Sequence, residues 1–507
     1  MTVDSSFLNA AGRKVRLPFT VTVEDQGSRF TVTADRLLRV IPGKRLVCSG
    51  VWEEEGRRIV VKFFLKSRRI RRHFRREKEG TRALAASGVR TPEIVFQGTV
   101  APEHVKVLAF REIVPASDMK TVWRQQADTA GHSDLVKKMI REIASLHEAG
   151  LKQDDLHLGN FIISEGNIFT IDGDAVDTRD MGSPLPEEKS MDNLAVFFSQ
   201  FDIELDSTVG DSLHFYEDCR RWNREKDRLS RLFRKIKKHR GLRRDQYLRK
   251  VFRDSTAHIL QKSWSRQWVC DRNAYAGGLD QFIEDPDAFI RNGRILKDGN
   301  TATVARIDIG DTAYAVKRYN IKNVRHFFRR FVRKTRARIS WRNAHLLTFL
   351  GVKTPRPVMF MEERQGPVRL RAFFVTEYVK GPDVLHLLQE DPGGRVIDPA
   401  VLSGKFAALF RRLIDVRLSH GDFKATNFIL EDGEICLIDL DSMKSHRVNA
   451  LFKKAFRRDL RRFQKNWESL PEISQTMDKA AREGGSLLNS GRIHEKNDEL
   501  KIQNEKV

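Results

Sequence analysis

The sequence predicts an α+β protein made of two tandem units, each with a small β-rich lobe and a larger helical lobe. The first observation is an acid-and-amide pattern that occurs twice. It reads Asp155-Leu-His-Leu-Gly-Asn160 followed by Ile171-Asp172-Gly-Asp174, and again Asp422-Phe-Lys-Ala-Thr-Asn427 followed by Ile438-Asp439-Leu-Asp441. Asp155 and Asp422, Asn160 and Asn427, Asp172 and Asp439, and Asp174 and Asp441 are each 267 positions apart. The second observation is the repeated order of patterns upstream: alternating residues carrying a lysine, a basic helical stretch, then a glycine shortly before Thr-Pro. The third is length, since 507 residues exceed what one ordinary hydrophobic core holds.

Residues 20–64 alternate with period 2, and Arg58-Ile-Val-Val-Lys-Phe-Phe64 reads as a half-buried strand with Lys62 beside Val60 and Phe64 on one face. A basic helix is expected from Lys66 to Ala86, ending at Gly88. Arg220 to Phe289 shows helical spacing in Leu229, Leu232, Phe233 and Ile236 and is expected to be helical and packed. The second half repeats the order with Thr301 to Ile309, the strand Ala313-Tyr-Ala-Val-Lys317, and a basic helix from Asn323 to Leu350 striped by Val324, Phe327, Phe328 and Phe331. Lys62 and Lys317 lie 255 apart, and Gly88 and Gly351 lie 263 apart, because loops change length at little cost. Leu451 to Phe463 sets Phe452, Phe456, Leu460 and Phe463 against Lys453, Lys454, Arg457 and Arg458 on an amphipathic helix. Beyond about Pro471 the tail is polar and poor in aromatics, which predicts disorder. The expected boundaries are 1–205 for the first unit, 206–288 for a basic helical segment completing its helical lobe, 289–470 for the second unit and 471–507 for the tail.

Lys and Arg number 92 against 68 Asp and Glu, a formal charge of +24, so the surface field attracts polyanions such as nucleotides, anionic lipids or nucleic acid. Nucleic acid is the weaker partner, for the chain has no RNP-like aromatic motif, recognition-helix signature or zinc finger. Docking on anionic lipid gains about 1 kcal/mol per basic residue near the surface. Cys48, Cys219, Cys270 and Cys436 are scattered without CxxC or His companions, which argues against zinc or a disulfide framework and for a reducing compartment. Met1 to Asn9 lacks the pattern of a secretory signal, and no run approaches 18 apolar residues. The expected location is therefore cytoplasmic, free or peripheral on a membrane.

Transfer of a nucleotide phosphoryl group asks little covalent work of a protein. It needs oxygen ligands for Mg2+, a cation on the phosphates and an acceptor for the hydroxyl proton. In the second copy Asp422 is placed to orient and deprotonate the attacking hydroxyl. Asn427 offers an amide oxygen to the metal. Asp439, arriving on the apolar run Ile435-Cys-Leu-Ile438, bridges Mg2+ to the phosphates, and Lys317 pairs with the α- and β-phosphates of ATP. Asp155, Asn160, Asp172 and Lys62 take the same roles in the first copy. Asp174 and Asp441 are either further metal ligands or turn caps. His147, His157 and His420 read as hydrogen-bonded structural histidines.

The string His420-Gly-Asp422-Phe-Lys424-Ala-Thr-Asn427 resembles the H-x-D-x-x-x-x-N loop of the protein-kinase-like fold. The phrases Ala-Val-Lys317-Arg-Tyr-Asn, Ser340-Trp-Arg-Asn-Ala-His and His420-Gly-Asp-Phe-Lys-Ala-Thr-Asn-Phe resemble the lipopolysaccharide core kinase family, which phosphorylates heptose or 3-deoxy-octulosonic acid (Kdo) sugars. The resemblance covers roughly 30–470 as two units and is stronger in the second. It implies that Lys424 is a catalytic γ-phosphate lysine and that His420 ties the loop to the metal-binding segment. It also implies that Phe110-Arg-Glu112 and Val375-Thr-Glu377 are lobe-connecting hinges receiving adenine through backbone groups. Ser49-Gly-Val-Trp52 and Asp298-Gly299-Asn-Thr-Ala-Thr303 are candidate phosphate-covering turns, although neither makes G-x-G-x-x-G and no Walker A string occurs. The first copy departs at Gln153, where the family has His, and at His157, where the second copy has Lys424. Glu77 or Glu79 is the candidate helix partner of Lys62, whereas Ser340 and Arg342 occupy that register in the second copy and leave the partner of Lys317 open.

No A-P-E segment follows Asp439, so a small or glycan acceptor fits better than a peptide. The resemblance implies an ATP- and Mg2+-dependent sugar kinase acting on a heptose or Kdo hydroxyl of the lipopolysaccharide inner core at the inner face of the inner membrane. The alternatives are a membrane-bound pseudokinase scaffold and a protein kinase. Oligomeric state is not encoded in any of these patterns.

Overall fold

The structure is a computed structural model and describes residues 1–10, 15–65, 70–126, 129–320, 334–390 and 397–490. The chain divides into two compact units of mixed helix and sheet, Met1–Gly241 and Leu242–Val507.

The first unit opens with a closed antiparallel barrel of β1 (Phe19–Asp25), β2 (Ser28–Ile41), β3 (Arg45–Trp52), β4 (Arg57–Phe64), β5 (Ile94–Val100) and β6 (Val105–Arg111) in the order β1-β2-β3-β4-β6-β5. Period 2 explains it: Phe19, Val21 and Val23 of β1 and Ile59, Val61 and Phe63 of β4 all fill the interior. The seam between β1 and β5 closes at Glu24 opposite Thr99. Gly98 permits that closure, because a Cβ there would stand 2.6 Å from the Glu24 carbonyl oxygen. The outer face of β4 carries Val60, Lys62 and Phe64, as the alternation predicts, and helix α1 (Ile70–Ala86) covers it, with Phe74 edge-on to Phe64 at 5.6 Å. Residues 66–69, where the basic helix was expected to begin, lie outside the described residues. The helical lobe packs α2 (Thr129–Glu148), α3 (Glu187–Phe198) and α4 (Val209–Cys219) around Ile140, Ile143, Phe161, Leu194, Phe197 and Tyr216.

The segment expected to join the units as one helical stretch is divided between them. Helix α5 (Arg228–Lys250) follows the helical spacing, burying Leu232 and Ile236. Residues 258–271 do not: they form β7 (His258–Lys262) and β8 (Arg266–Asp271), a hairpin of the second unit. Trp268, Val269 and Cys270 are buried there, an aromatic and β-branched run that suits a strand buried on both faces.

The second unit is built on a seven-stranded antiparallel sheet. With β9 (Arg294–Gly299), β10 (Ala302–Ile309), β11 (Thr312–Tyr319), β12 (Pro357–Gln365) and β13 (Val368–Glu377), its order is β7-β8-β12-β13-β11-β10-β9. Helix α6 (Arg336–Phe349) inserts Trp341, whose Nε1 donates to the Val251 carbonyl at 3.0 Å. The basic stretch 321–333, with Val324, Phe327, Phe328 and Phe331, lies outside the described residues. Helices α7 (Pro399–Asp415) and α8 (Asn449–Lys465) enclose an aromatic core in which Phe463 meets Phe406 at 4.7 Å and Phe410 at 5.1 Å. The amphipathic stripe predicted for α8 is buried as read.

The tail expectation is corrected up to residue 490. Helix α9 (Pro471–Ser490) buries Ile473, Met477, Ala480, Ala481 and Leu488. Those residues follow an i, i+4, i+7, i+8 stripe, but alanine and a single methionine leave average hydrophobicity low, so composition conceals the buried face. Residues 491–507 lie outside the described residues.

Candidate active site

In the second unit, β11 sets Lys317 opposite Val304 on one side and Phe374 on the other. Its Nζ donates to Asp439 Oδ1 at 2.6 Å and to Asp441 Oδ2 at 3.0 Å. Burial works against the ammonium, but Tyr319, Asp441 and Asp439 outweigh it and raise its pKa above the ordinary lysine value. Asp441 is the lysine's missing partner and is itself held by Arg336 Nη2 at 2.8 Å. Burial raises its carboxyl, yet Lys317 and Arg336 prevail and lower it. Asp441 links Lys317 to Arg336, a contact that neither expected role, metal ligand or turn cap, described. Asp439 has φ +59°, a left-handed conformation that aspartate tolerates better than most residues.

The Asp422 loop is anchored from behind. The backbone N–H groups of His420 and Gly421 donate to the two Asp459 oxygens at 2.8 and 3.0 Å. Burial pushes the Asp459 carboxyl up to about 6, although both N–H donors favour its charge. His420 Nε2 donates to the Ile438 carbonyl at 3.1 Å, and burial lowers its pKa, so a neutral imidazole ties the loop to the strand delivering Asp439. Asn427 Nδ2 donates to the Asp422 carbonyl at 2.9 Å. The Asp422 carboxylate pairs with Arg462 Nε at 2.8 Å and lies 3.5 Å from Lys424 Nζ.

The first unit repeats the backbone with other side chains. Gln153 Nε2 donates to the Ile171 carbonyl at 3.0 Å, the same tie that His420 makes, so this departure preserves the loop. Asn160 Nδ2 donates to the Asp155 carbonyl at 2.7 Å, and Asp172 is left-handed at φ +72°. Lys62 pairs with Glu77, which is fully buried and also accepts from the N–H groups of Gly173 and Asp174 at 3.2 and 3.3 Å. Glu79 is exposed beside Arg75 instead. Helix α1 comes this close because Gly80 has no side chain; a Cβ would meet the Gly173 oxygen at 2.1 Å. The acids here are already compensated: Arg45 stands 3.6 Å from Asp172 and 3.0 Å from Asp174, and His73 Nδ1 is 2.8 Å from Asp174. Asp155 is exposed, and His157 Nε2 stands 3.5 Å from its carboxylate.

The turn expectations divide. Asp298 to Thr303 is the β9–β10 hairpin, with Thr303 Oγ1 donating to Asp298 at 3.0 Å and Gly299 paired with Ala302. Ser49 to Trp52 is not a turn: it lies inside β3, where a Cβ on Gly50 would meet the Thr33 oxygen at 2.2 Å. Since Val47 opposes Lys62 as Val304 opposes Lys317, the matching turn of the first unit is Pro42-Gly43-Lys44. At the expected hinges, the amides of Glu112 and Glu377 already donate to Arg58 and Arg356 carbonyls at 3.2 and 3.0 Å. Their carboxylates are likewise paired, Glu112 with Arg36, Arg58 and Ser49, and Glu377 with Arg356.

The donor set fits a hard cation. Asn427 spends its nitrogen on Asp422, which leaves an amide oxygen, and Asp439 adds a carboxylate. In the first unit Asp172 Oδ1 and Asp174 Oδ1 are buried without a hydrogen-bond partner. Among the described residues no group of three or more His, Cys, Asp or Glu forms a metal cluster, so a nucleotide's own oxygens would complete the shell. His147 is structural as read, bonded to Tyr216 and Asn193 at 2.7 and 3.0 Å, with its pKa lowered by burial to about 3.

Arg336, Arg45, Arg462 and Asp459 escaped the sequence reading. Only Asp459 carried a signal, as an acid on the buried phase of α8, three residues after Phe456 and four before Phe463. Residues 281–482, all within the second unit, match the model of the lipopolysaccharide kinase (Kdo/WaaP) family. No curated protein matches the chain.

Proposed function

We propose that the second unit transfers the γ-phosphoryl group of ATP to a hydroxyl of a lipopolysaccharide core sugar, a heptose or Kdo. The observation that carries this reading is the convergence of Lys317, Asp439 and the Asp422–Asn427 loop through direct bonds, inside a stretch that matches a lipopolysaccharide kinase family. Lys317 would leave its two carboxylates for the α- and β-phosphates, a compact cation exchanging one anion for another. Asp422 takes the hydroxyl proton as the sugar oxygen bonds to phosphorus and the bond to ADP breaks. Lys424 and Arg462 hold that carboxylate in position. Asn427 and Asp439 would hold Mg2+, which supplies charge neutralisation on the phosphates.

The first unit is read as a related kinase-like unit that does not turn over. Arg45 pairs with its acids Asp172 and Asp174, and Asp155 has His157 where the second unit has Lys424. Among the described residues no helix is long and apolar enough to cross a membrane. With a formal charge of +24 the reading is peripheral contact with an anionic inner leaflet, where the acceptor is made.

The test is the mass of lipid-linked core sugar from cells with and without the chain. Loss of one phosphate, restored by wild type and not by Asp422→Asn, is expected. An unchanged core mass would contradict the assignment.

A further inference from the structure

A cleft of about 1540 Å3 in the second unit runs from Tyr319 and Asp441 to the outer face of α8. Its α8 wall presents Lys454, Arg458, Arg461, Arg462 and Lys465, and Lys444 joins them from the segment after Asp439. The two acids in the walls are already engaged, Asp441 by Lys317 and Arg336 and Asp459 by two backbone N–H groups. Among the described residues Lys444, Lys454, Arg458, Arg461 and Lys465 make no salt bridge. Burial lowers the pKa of His446 in the same wall, and Lys444 and Arg458 lower it further, so the local field is positive.

This concentration of like charge is held rigidly, because Phe452, Phe456, Leu460 and Phe463 fasten the opposite face of α8 into the aromatic core. Self-repulsion of that kind is relieved when an anion enters. The basic wall stands on a different element from Lys317, which is not among the residues lining the cleft. Lys317 lies on the sheet side, whereas α8 reaches the site through Arg462, whose Nε sits 2.8 Å from the carboxylate that must receive the acceptor's proton. Arg462 can keep that contact while its terminal nitrogens hold a second anion next to the reacting hydroxyl.

We propose that α8 with Lys444 is the acceptor subsite and that it recognises anionic groups, carboxylate or phosphate, already present on the sugar to be phosphorylated. This rests on the kinase reading and adds to it that a neutral glycan is a poor substrate. The reaction that supplies the acceptor must therefore attach a charged sugar or a phosphate before this unit acts.

The experiment measures binding and turnover of a lipid-free core oligosaccharide in three forms: native, carboxyl-reduced and dephosphorylated. Wild type and the Lys454→Gln/Arg458→Gln double variant are compared, with stabilisation by Mg-ATP as a folding and nucleotide control. Loss of the recognised charge, or the double substitution, is expected to raise the acceptor KM about tenfold while the ATP KM stays within about twofold. Whichever chemical treatment weakens binding identifies the anion. Equal KM for all three glycans in wild type, or an unaltered acceptor KM in a double variant that still responds to Mg-ATP, overturns the subsite. A wild-type protein stabilised by Mg-ATP that binds none of the glycans overturns the kinase reading itself and the subsite with it.

Discussion

The lysines of the two units sit on equivalent strands but face opposite partners. Lys62 is held from the helix side by the buried Glu77, while Lys317 is held from the loop side by Asp439 and Asp441, with Arg336 behind them. The surrounding backbone is the same in both: a left-handed aspartate, a short turn ending in asparagine, and a side-chain tie to the carbonyl just before that aspartate. Geometry and charge are thus separable. The scaffold persists with Gln153 or His420 making the tie, and what changes is where the compensating charges stand. In the first unit they neutralise the acids internally. In the second they leave Lys317 in contact with Asp439 and Asp441.

The largest expected effect separates the two loops. Asp422→Asn should lower kcat for core phosphorylation by about 10²–10⁴, the usual worth of a positioned base, while Asp155→Asn changes it less than twofold. Equal losses would make both units active. Next come the lysines, whose roles should exchange between stability and turnover. Lys62→Met removes the nearest cation from the buried Glu77 and should destabilise the first unit by about 3 kcal/mol in urea unfolding. Lys317→Met should cost little stability, because Asp439 is partly exposed and Asp441 retains Arg336, but should raise the KM for Mg-ATP about tenfold.

A smaller effect concerns pH. The Asp459 carboxyl is raised from 3.8 to about 6, so the folded state binds its proton more tightly than the unfolded chain. That contribution is fully present below pH 3.8 and disappears as pH rises through about 6. Between pH 7 and pH 5 wild type should therefore gain about 1 kcal/mol relative to Asp459→Asn, read from paired urea midpoints. The first unit anchors its loop differently: Asn193 Nδ2 donates to the Gln153 carbonyl at 2.9 Å, and Asn193→Asp is the control there. The smallest effect is Gln153→His, which restores the second unit's tie and should change stability by less than about 1 kcal/mol. A larger loss would show that the two loops are not interchangeable.

Much of this was legible because it is periodic or contiguous. The β4 alternation placed Lys62 correctly beside Val60 and Phe64, the α8 stripe predicted its buried face, and the paired acid–amide spacing marked both loops. What escaped is long-range or compositional. Arg336 meets Asp441 across 105 residues, and nothing local announces that pairing. Glu77 and Glu79 differ only in helical phase, which decides that one is buried and the other solvated. The β7–β8 hairpin lay inside a stretch read as helical because its neighbours are, and α9 buries alanines that a composition average treats as polar tail. Gly50 looked like a turn glycine, but the barrel needs it for close approach inside β3.

The central claim is that the Asp422 carboxylate serves transfer from ATP to a core sugar in the second unit. The most direct measurement follows a labelled γ-phosphate from ATP onto purified core oligosaccharide with wild type, Asp155→Asn and Asp422→Asn at equal concentration. Label on the sugar with the first two proteins and at most a trace with the third is the predicted result. Full transfer by Asp422→Asn, or label appearing only in free phosphate with wild type, would contradict the account.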